Sequence, residues 1–287
     1  MPAELSHDET LREVTTEQGV LRYHEAGDGP TLLMLHGSGP GVTGWRNYRG
    51  VLPAFAERFR CLVLEFPGFG VSDDFGGHPM VTAFGAVPAF AEALGLDRFS
   101  IVGNSMGGGV GIGYAIGNPD KVDRLVTIGG IGTNLLSPGP AEGIRLLQDF
   151  VDNPSREALV RWLHSMVYDP SVITEELIEE RWALATEPDT LASARRMYGK
   201  ESFTNMVKMM QASKAPLPWA MMHRLKTPTL VTWGRDDRVS PLDMALIPMR
   251  TIPDAEVHVF PNCGHWTMIE AKDAFTRVVL EYLTRDH

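Results

Sequence analysis

Residues 103–107 read G-N-S-M-G and fit the pattern G-x-S-x-G of a nucleophilic serine, here Ser105. They directly follow the apolar run 99–102 and directly precede a helical pattern, which is the strand–turn–helix setting that this chemistry needs. Flanking glycines let a tight turn present the hydroxyl clear of the backbone, and the N-terminus of the next helix favours a developing oxyanion. A structural turn of glycine and serine is the alternative, and the setting favours a catalytic Ser105.

His265 is the histidine best placed to act as the base that a serine nucleophile requires at neutral pH. It stands in the segment N-C-G-H-W, residues 262–266, which follows the apolar run 257–260. A histidine late in the chain agrees with the order Ser, Asp, His that accompanies this motif. His258 also comes late, but it lies inside the apolar run, where packing or a surface position is the expected role.

Two adjacent aspartates, Asp236 and Asp237, follow the apolar run 229–233, where the acid that orients the imidazole is expected. Such an acid holds the histidine in the useful tautomer and stabilises its charged form. The spacing from Gly234 and the position of Pro241 favour Asp237. Asp236 is then expected to pair with one of the two neighbouring arginines.

The glycine-rich segment H-G-S-G-P-G, residues 36–41, follows the apolar run 31–35 and is the candidate oxyanion loop. An oxyanion hole requires a second backbone N–H besides that of Met106, and glycines permit the close approach of backbone. The amide of Ser38 is the first candidate. A flexible turn is the alternative, whereas a phosphate-binding P-loop is excluded because the K-[ST] ending is missing.

The elements that must position these residues alternate between strands and helices. Short apolar runs between turn signals, typical of buried parallel strands, cover residues 31–35, 61–64, 99–102, 125–128, 229–233 and 257–260. Helical patterns such as 84–94 and 106–116 lie between them. This alternation predicts an α/β fold with a mostly parallel sheet flanked by helices. Residues 21–26 predict an antiparallel hairpin strand near the N-terminus.

Residues 135–219 break the alternation, because their periodicity is helical throughout. The helical segments are 141–151, 156–167, 175–185 and 191–198. We therefore expect core segments 1–134 and 219–287, with an all-helical insertion, residues 135–218, acting as a lid. A separate helical domain is the alternative, and the flanking strands favour the insertion. Candidates to line an apolar pocket, with helix–helix packing as the alternative role, are Met206, Met209, Met210, Met221, Met222, Trp162, Phe203 and Trp219.

Composition and charge narrow the partners and the compartment of this 287-residue chain. The formal net charge of −10 disfavours nucleic acid and anionic membrane surfaces. The polar N-terminus argues against a signal peptide. The sequence contains no run of about 18 apolar residues, so no membrane span is expected. Cys61 and Cys263 do not make a disulfide framework, so a reducing cytoplasm is expected. The histidines, cysteines and carboxylates lack zinc-ligand spacing, and no metal or organic cofactor is expected.

Four motifs occur in order along the chain: H-G-S-G-P-G at 36–41, G-N-S-M-G-G at 103–108, G-R-D-D-R at 234–238 and C-G-H-W at 263–266. Together they resemble the meta-cleavage product hydrolases, α/β-hydrolases of aromatic and steroid catabolism, over nearly the whole chain. The resemblance implies hydrolysis of a carbon–carbon bond in a 2-hydroxy-6-oxohexa-2,4-dienoate, giving 2-hydroxypenta-2,4-dienoate and a carboxylic acid. A small-molecule dienoate substrate and a homo-oligomer are expected.

The residues that the resemblance implies for this reaction carry over by position. It implies a catalytic triad of Ser105, Asp237 and His265. It also implies an oxyanion hole formed by the backbone amides of Ser38 and Met106. The residues implied to bind the dienoate end are Asn47, Asn104, Arg181 and Trp266. The loop departs from those family members that have glycine where this chain has Ser38, and a backbone donor survives that change.

Arg181 lies within the apolar face of the helical pattern 175–185, four residues after Leu177 and one before Trp182. From the pattern alone, a snorkelling or salt-bridged arginine is the alternative. An arginine facing the serine turn would grip a planar carboxylate through two bonds. The resemblance favours this second role.

The same candidate site residues are compatible with two reaction routes and with other functions. A covalent acyl-enzyme at Ser105 and a gem-diol route, in which His265 activates water, use the same groups, and the C6 substituent of the substrate is left open. A serine carboxylesterase of the same fold is the nearest alternative function. A ligand-binding receptor with a slow triad is an alternative of another class. Enzymes of this fold with an aspartate nucleophile are disfavoured, because the turn carries serine.

Overall fold

A computed structural model describes residues 5–212, 216 and 218–285 of the chain. One sheet has the strand order β1-β2-β4-β3-β5-β6-β7-β8. The strands are β1 Leu11–Thr16, β2 Gly19–Ala26, β3 Thr31–Leu35, β4 Arg60–Leu64, β5 Phe99–Asn104, β6 Val122–Ile128, β7 Thr229–Gly234 and β8 Ala255–Phe260. β2 pairs antiparallel with β1 and β4, and the remaining pairs are parallel. The predicted mostly parallel α/β sheet is confirmed.

The sheet is buried between two hydrophobic clusters, and β3 shows how the strand pattern produces them. Leu32 and Met34 belong to one cluster, while Leu33 and Leu35 belong to the other. Successive side chains of a strand point to opposite faces, and here both faces are covered. This is why the central parallel strands read as continuous apolar runs rather than as alternating patterns.

Several strands extend beyond the apolar runs that predict them. β5 continues to Asn104, the residue before Ser105, and β6 begins at Val122 instead of 125. These extensions arise because strand pairing continues past the apolar residues, from Phe99 with Val122 to Asn104 with Ile128. The nucleophile is therefore placed directly at the carboxyl end of a central strand.

The α-helices of the described ranges flank the sheet or lie between β6 and β7. They are α1 His7–Thr10, α2 Gly44–Tyr48, α3 Leu52–Ala56, α4 Pro79–Ala93, α5 Met106–Gly117, α6 Glu142–Asp152, α7 Arg156–Ser165, α8 Glu175–Ala185, α9 Pro188–Tyr198, α10 Lys200–Ala212, α11 Leu246–Thr251, α12 Thr267–Glu270 and α13 Lys272–Thr284. Short 3-10 segments are Pro170–Val172, Pro218–Arg224 and Leu242–Ala245. None of these helices is long and apolar enough to cross a membrane.

Helices α6–α10 lie between β6 and β7, where the insertion is predicted, and the described residues there contain no strand. We call α6–α10 the lid helices. α8 begins and ends with its sequence pattern. α9 begins at Pro188 rather than at 191, because proline suits the first turn of a helix. The same reason places the start of α4 at Pro79 rather than at 84. The domain boundaries at 134/135 and 218/219 stay predictions.

The apolar residues predicted for a lid pocket have different surroundings. Trp162 and Met222 are buried, each in one of the two hydrophobic clusters. Trp219 packs against the second cluster while partly exposed, and Phe203 and Met221 are also partly exposed. The side chains of Met206, Met209 and Met210 lie outside the described residues. Their role in a pocket stays a prediction.

Candidate active site

Ser105 stands on the turn between β5 and α5, at the carboxyl end of a fully buried strand. Its φ of 51° and ψ of −113° lie in a region that side-chain-bearing residues rarely adopt. Such a conformation costs about 1–3 kcal/mol and persists only where surrounding contacts enforce it. One such contact is the Ser105 N–H, which donates to Ile128 O of β6 at 2.9 Å. The turn thus projects the hydroxyl away from the sheet.

The two glycines of the G-x-S-x-G motif are required by close backbone packing. A Cβ on Gly103 would lie 2.4 Å from Gly107 O, and a Cβ on Gly107 would lie 2.3 Å from Leu35 O. Both distances are far shorter than real Cβ contacts. A larger residue at Gly103 would push α5 away from β5, and one at Gly107 would push α5 away from β3, so either would displace Ser105.

Asp237 and His265 form a buried pair in the loops that follow β7 and β8. Asp237 Oδ2 lies 2.7 Å from His265 Nδ1, and Asp237 Oδ1 accepts the N–H groups of Val239 and Ser240, both at 2.8 Å. An ionised carboxylate only accepts, so His265 donates from Nδ1 and has Nε2 available to take a proton. The His265 N–H donates to Met166 O at the end of α7, at 2.7 Å. The lid therefore helps to hold the loop of the base.

The Asp236 carboxylate contacts an arginine of its own loop. It pairs with Arg235 at 3.2 Å, while Arg238 pairs with Glu142 at 3.0 Å. The carboxylate beside the imidazole is thus Asp237, the residue that the spacing from Gly234 favours. The surroundings of Asp236 match the role of arginine partner that was expected of it.

A glycine turn after β6, which the sequence analysis does not single out, fits between these residues. A Cβ on Gly129 would lie 3.3 Å from both Asp237 Oδ2 and His265 Nδ1, and a Cβ on Gly130 would lie 2.7 Å from Ser105 Oγ. The turn can pack against both the serine and the Asp–His pair only because it lacks side chains. Its sequence signal is the run G-G-I-G, residues 129–132, directly after an apolar strand.

His36 fixes the peptide that carries the Ser38 N–H. Phe66 N–H donates to His36 Nε2 at 3.0 Å, so this nitrogen carries no proton and the ring proton is on Nδ1. His36 Nδ1 then donates to Gly37 O at 2.6 Å. Because that carbonyl shares a planar peptide with the Ser38 N–H, the N–H must point the opposite way. Burial lowers the pKa of His36 and keeps the ring neutral.

Glu65 is a buried carboxylate that the sequence analysis misses, because a single Glu after an apolar run has no distinguishing pattern. It accepts the N–H groups of Gly44 at 2.7 Å and Trp45 at 2.9 Å, in the first turn of α2. The imidazoles of His24 and His36 lie 3.6 and 3.9 Å away. Burial opposes ionisation, but the imidazole of His24 and the two amides outweigh it and hold the pKa of Glu65 below its usual range.

Three lid helices contact the oxyanion loop. In α7, Trp162 lies so close to Gly39 that a Cβ there would be 2.8 Å from the indole. In α8, Arg181 donates to the carbonyl of the loop proline at 3.3 Å. In α9, Tyr198 is hydrogen-bonded to the Ser38 hydroxyl, and burial raises the pKa of Tyr198 to about 12. The loop is thus held from the core by His36 and from the lid by these contacts.

Arg181 is a buried cation with only 3 % of its surface exposed. Among the described residues it has no ion pair, and its Nε has no hydrogen-bond partner. The guanidinium lies 5.6 Å from the ring of Trp266 and 6.0 Å from that of Trp162, and such cation–π contacts offset part of the desolvation. Burial, and then the charge of Arg46, lowers the pKa of Arg181. Neither a snorkelling nor a salt-bridged arginine describes this residue.

The amides of Asn104 and Asn47 are oriented by one carbonyl. Ile128 O can only accept, so Asn104 donates to it from Nδ2 at 3.1 Å, and Asn104 Oδ1 accepts from Asn47 Nδ2 at 2.9 Å. This order leaves Asn47 Oδ1, an acceptor, for another partner. Asn47, Arg181 and Trp266 line one cavity of about 250 Å³. Three of the four residues predicted for the dienoate end are thus brought together. The fourth, Asn104, is hydrogen-bonded to Asn47 and does not line the cavity.

Known proteins with similar sequences and structures match this chain over most of its length. Residues 30–272 match the model of the alpha/beta hydrolase fold family. A 2-hydroxy-6-oxo-6-phenylhexa-2,4-dienoate hydrolase of Burkholderia cepacia is 39 % identical, over 98 % of both chains. The structure of a meta-cleavage product hydrolase from Pseudomonas fluorescens IP01, a serine-to-alanine mutant complexed with acetates, is 30 % identical with a TM-score of 0.83, and covers 95 % of this chain and 97 % of its own. The chain belongs to the meta-cleavage product hydrolases.

Further members of the meta-cleavage product hydrolases differ from one another in the substrate that their names give. A 2-hydroxy-6-oxononadienedioate/2-hydroxy-6-oxononatrienedioate hydrolase of Pseudomonas sp is 38 % identical, over 93 % of both chains. The 2-hydroxy-6-oxo-6-phenylhexa-2,4-dienoate hydrolase of Rhodococcus sp. strain RHA1 is 27 % identical with a TM-score of 0.85, and covers 96 % of this chain and 99 % of its own. These names share the 2-hydroxy-6-oxo group and differ in the group beyond it. The family expected from the four motifs is confirmed, and this chain is a hydrolase.

Proposed function

We propose that the protein hydrolyses the bond between C5 and C6 of a 2-hydroxy-6-oxohexa-2,4-dienoate. The products are 2-hydroxypenta-2,4-dienoate and a carboxylic acid. The observation that carries the proposal is the buried Arg181, which has no ion pair within the described ranges and lines a cavity with Asn47 and Trp266. A simple ester does not need a buried cation of this kind, whereas the carboxylate of a dienoate does.

The three residues of this cavity suit three parts of the dienoate. The Arg181 guanidinium donates two parallel hydrogen bonds to the C1 carboxylate. Asn47 Oδ1, the free acceptor of the asparagine pair, accepts from the 2-hydroxyl. The flat ring of Trp266, which already lies beside the guanidinium, packs against the planar diene. An acceptor next to a cation therefore favours an anion that also carries a hydroxyl donor.

The remaining residues act at the C6 ketone. The dienol first ketonises and gains a proton at C5, so that cleavage of C5–C6 leaves the bonding electron pair in a conjugated dienolate. The backbone N–H groups of Ser38 and Met106 stabilise the oxygen of C6 as it becomes an oxyanion. His265, oriented by Asp237, takes the proton from the attacking oxygen. Attack by Ser105 followed by water, and direct attack by water, both add one water overall.

The same proposal includes a cytoplasmic homo-oligomer. Cys61 and Cys263 are buried and free, which suits a reducing compartment. The oligomer rests on the family resemblance. Size-exclusion chromatography with light scattering should give a mass of at least twice the 31.6 kDa of the chain; a single-chain mass at micromolar concentration would contradict it.

The proposed activity is tested with a panel of ring-fission products that carry methyl, phenyl or steroid-type groups at C6. We expect the protein to remove the yellow dienol colour of at least one of them. Ser105→Ala should slow this decay about 10³-fold or more, and Ser6→Ala, a substitution near the N-terminus, should leave it unchanged. Cleavage of simple esters with every dienoate intact would identify a carboxylesterase instead. Binding without turnover would identify a receptor, and either result would overturn the proposal.

A further inference from the structure

The cavity that contains Arg181 reaches the surface between α2, α8 and the C-terminal helices. Its inner wall is formed by buried residues, among them Asn47, Arg181 and Trp266. Its outer rim includes the exposed Arg49, at the end of α2, and the exposed Lys272, at the start of α13. The triad residues are not part of this lining. The cavity therefore connects the dienoate end of the site to solvent at a place away from Ser105.

The charge of this cavity has one sign. Its charged lining residues are Arg46, Arg49, Arg181 and Lys272, and no carboxylate of the described residues lines it. The chain as a whole has a formal net charge of −10, so this cluster stands against an acidic background. Arg46 is ion-paired with Glu180, and the other three have no ion pair in the part of the chain that the structure describes. A cleft of one charge with low-dielectric walls raises the local concentration of the opposite ion.

We propose that Arg46, Arg49, Arg181 and Lys272 form an anion port. Through it, small dienoate anions reach Arg181, and the five-carbon product leaves, without passing Ser105. Arg49 and Lys272 attract the anion at the rim, and Arg181 binds its carboxylate inside. This inference rests on the proposed function, because it takes Arg181 as the residue that binds the dienoate carboxylate.

A separate port is useful because of how the lid covers the other end of the site. Helices α7, α8 and α9 all rest on the oxyanion loop. After C5–C6 cleavage, the acid product or acyl group occupies the space at Ser105, while the hydroxydienoate is held at Arg181. A route on the Arg181 side lets the anionic product depart first.

The port is tested with a charge-reversal pair, Arg49→Glu with Lys272→Glu. Its matched control is Arg58→Glu with Lys121→Glu, the same change of charge on exposed residues at the opposite ends of the strands. The probe is hexa-2,4-dienoate, a stable dienoate anion, used as an inhibitor of the hydrolysis of p-nitrophenyl acetate, a neutral ester. We expect its inhibition constant to rise about 5- to 10-fold in the port variant at roughly 0.02 M salt, and this difference to vanish near roughly 0.5 M.

The control variant should keep the wild-type inhibition constant, and both variants should keep the wild-type rate on the neutral ester. Equal inhibition constants in the port and control variants at low salt would overturn the port. If the reversed charges impair ester hydrolysis, Arg49→Gln with Lys272→Gln replaces them and should give about half of the logarithmic effect. Wild-type protein that hydrolyses a dienoate but is not inhibited by hexa-2,4-dienoate refutes the port alone. Inhibition that weakens in the port variant but not in the control variant, without turnover of any dienoate, refutes the proposed function and supports anion entry at Arg181.

Discussion

Asp237, in the half of the site that the sheet carries, has a partner for each carboxylate oxygen, whereas Arg181, in the lid half, has one carbonyl contact and no ion pair among the described residues. The sheet half is therefore organised before substrate binds, and electrostatic stabilisation of a transition state requires such fixed groups. The lid half is completed by the substrate. Binding energy gained at its carboxylate is available to position the reacting ketone.

Two substrates separate these halves. A neutral activated ester uses the triad and the oxyanion hole alone, and a dienoate uses these groups together with Arg181. A variant in the sheet half should lose activity on both substrates, and a variant of the lid residue that binds the carboxylate mainly on the dienoate. A sheet-half variant that keeps its activity on the ester would contradict this difference between the two halves.

The largest effect is expected at Asp237. Asp237→Asn should lower kcat about 10³- to 10⁴-fold on both substrates, because the imidazole loses the acceptor that sets its tautomer. Asp236→Asn is the matched control and should change kcat less than about twofold, since its partner Arg235 lies at the surface. Steady-state kinetics on purified variants measure both. Equal losses at the two positions would contradict the assignment of the acid.

The second largest effect is expected at Arg181, which tests the lid half of the site. Arg181→Ala should raise KM and lower kcat for the dienoate, with a loss of about 10- to 100-fold in kcat/KM, because a charge-assisted pair contributes about 1.5–3 kcal/mol. The ester should lose far less activity than the dienoate, because His36, Trp162 and Tyr198 still hold the oxyanion loop when the Arg181 contact is removed. The control is Arg156→Ala. Arg156 is an exposed arginine of α7 that pairs with Glu175 and Glu179 of α8. Unchanged dienoate kinetics in Arg181→Ala would exclude a role in binding the carboxylate.

His36 separates orientation of the oxyanion donor from simple packing. His36→Asn keeps a donor near the position of Nδ1 for Gly37 O, while His36→Gln keeps an amide near Nε2 for Phe66 and loses that donor. We expect kcat to fall about tenfold in His36→Gln with KM unchanged, and less in His36→Asn, because a misaligned donor stabilises the oxyanion poorly. Equal kcat values in the two variants, with equal losses of thermal stability, would leave His36 a packing role only.

The smallest effect on catalysis is expected at Glu65, where a substitution should lower the stability of the fold instead. Its pKa is held below the ordinary value of 4.5, so the ionised carboxylate stabilises the fold above that pH, and the contribution is lost as the pH falls. Glu65→Gln should destabilise the fold by about 2–4 kcal/mol at pH 7, and the gap in Tm from wild type should narrow towards pH 4. Glu25→Gln, at a partly exposed pair with Arg60, should cost under about 1 kcal/mol. A difference in Tm between Glu65→Gln and wild type that widens as the pH falls would contradict a stabilising role of the ionised carboxylate.

The sheet half was predictable because its residues carry local patterns. Ser105 sits in a motif whose glycines are forced by packing, and each central parallel strand contains a continuous apolar run because both faces are covered. Asp237 and His265 each follow such a run at a fixed distance. The chemistry, the turn and the strand end therefore lie within a few residues of one another in the sequence.

The supporting contacts were not predictable, because they join residues that are distant in the chain. Tyr198 and Ser38 are 160 positions apart, and no local pattern marks either as the partner of the other. Glu65 and Gly130 have single-residue signals that many turns share. The position of Arg181 within an apolar helix face was visible, but its lack of an ion pair among the described residues became visible only in three dimensions.

The central claim is that water is added across C5–C6 of a dienoate. It is tested most directly by identifying the products from the phenyl-substituted ring-fission compound in water enriched in oxygen-18. We expect benzoate and 2-hydroxypenta-2,4-dienoate in equal amounts, with the heavy oxygen in the benzoate carboxylate. Loss of the yellow colour without formation of benzoate would contradict it.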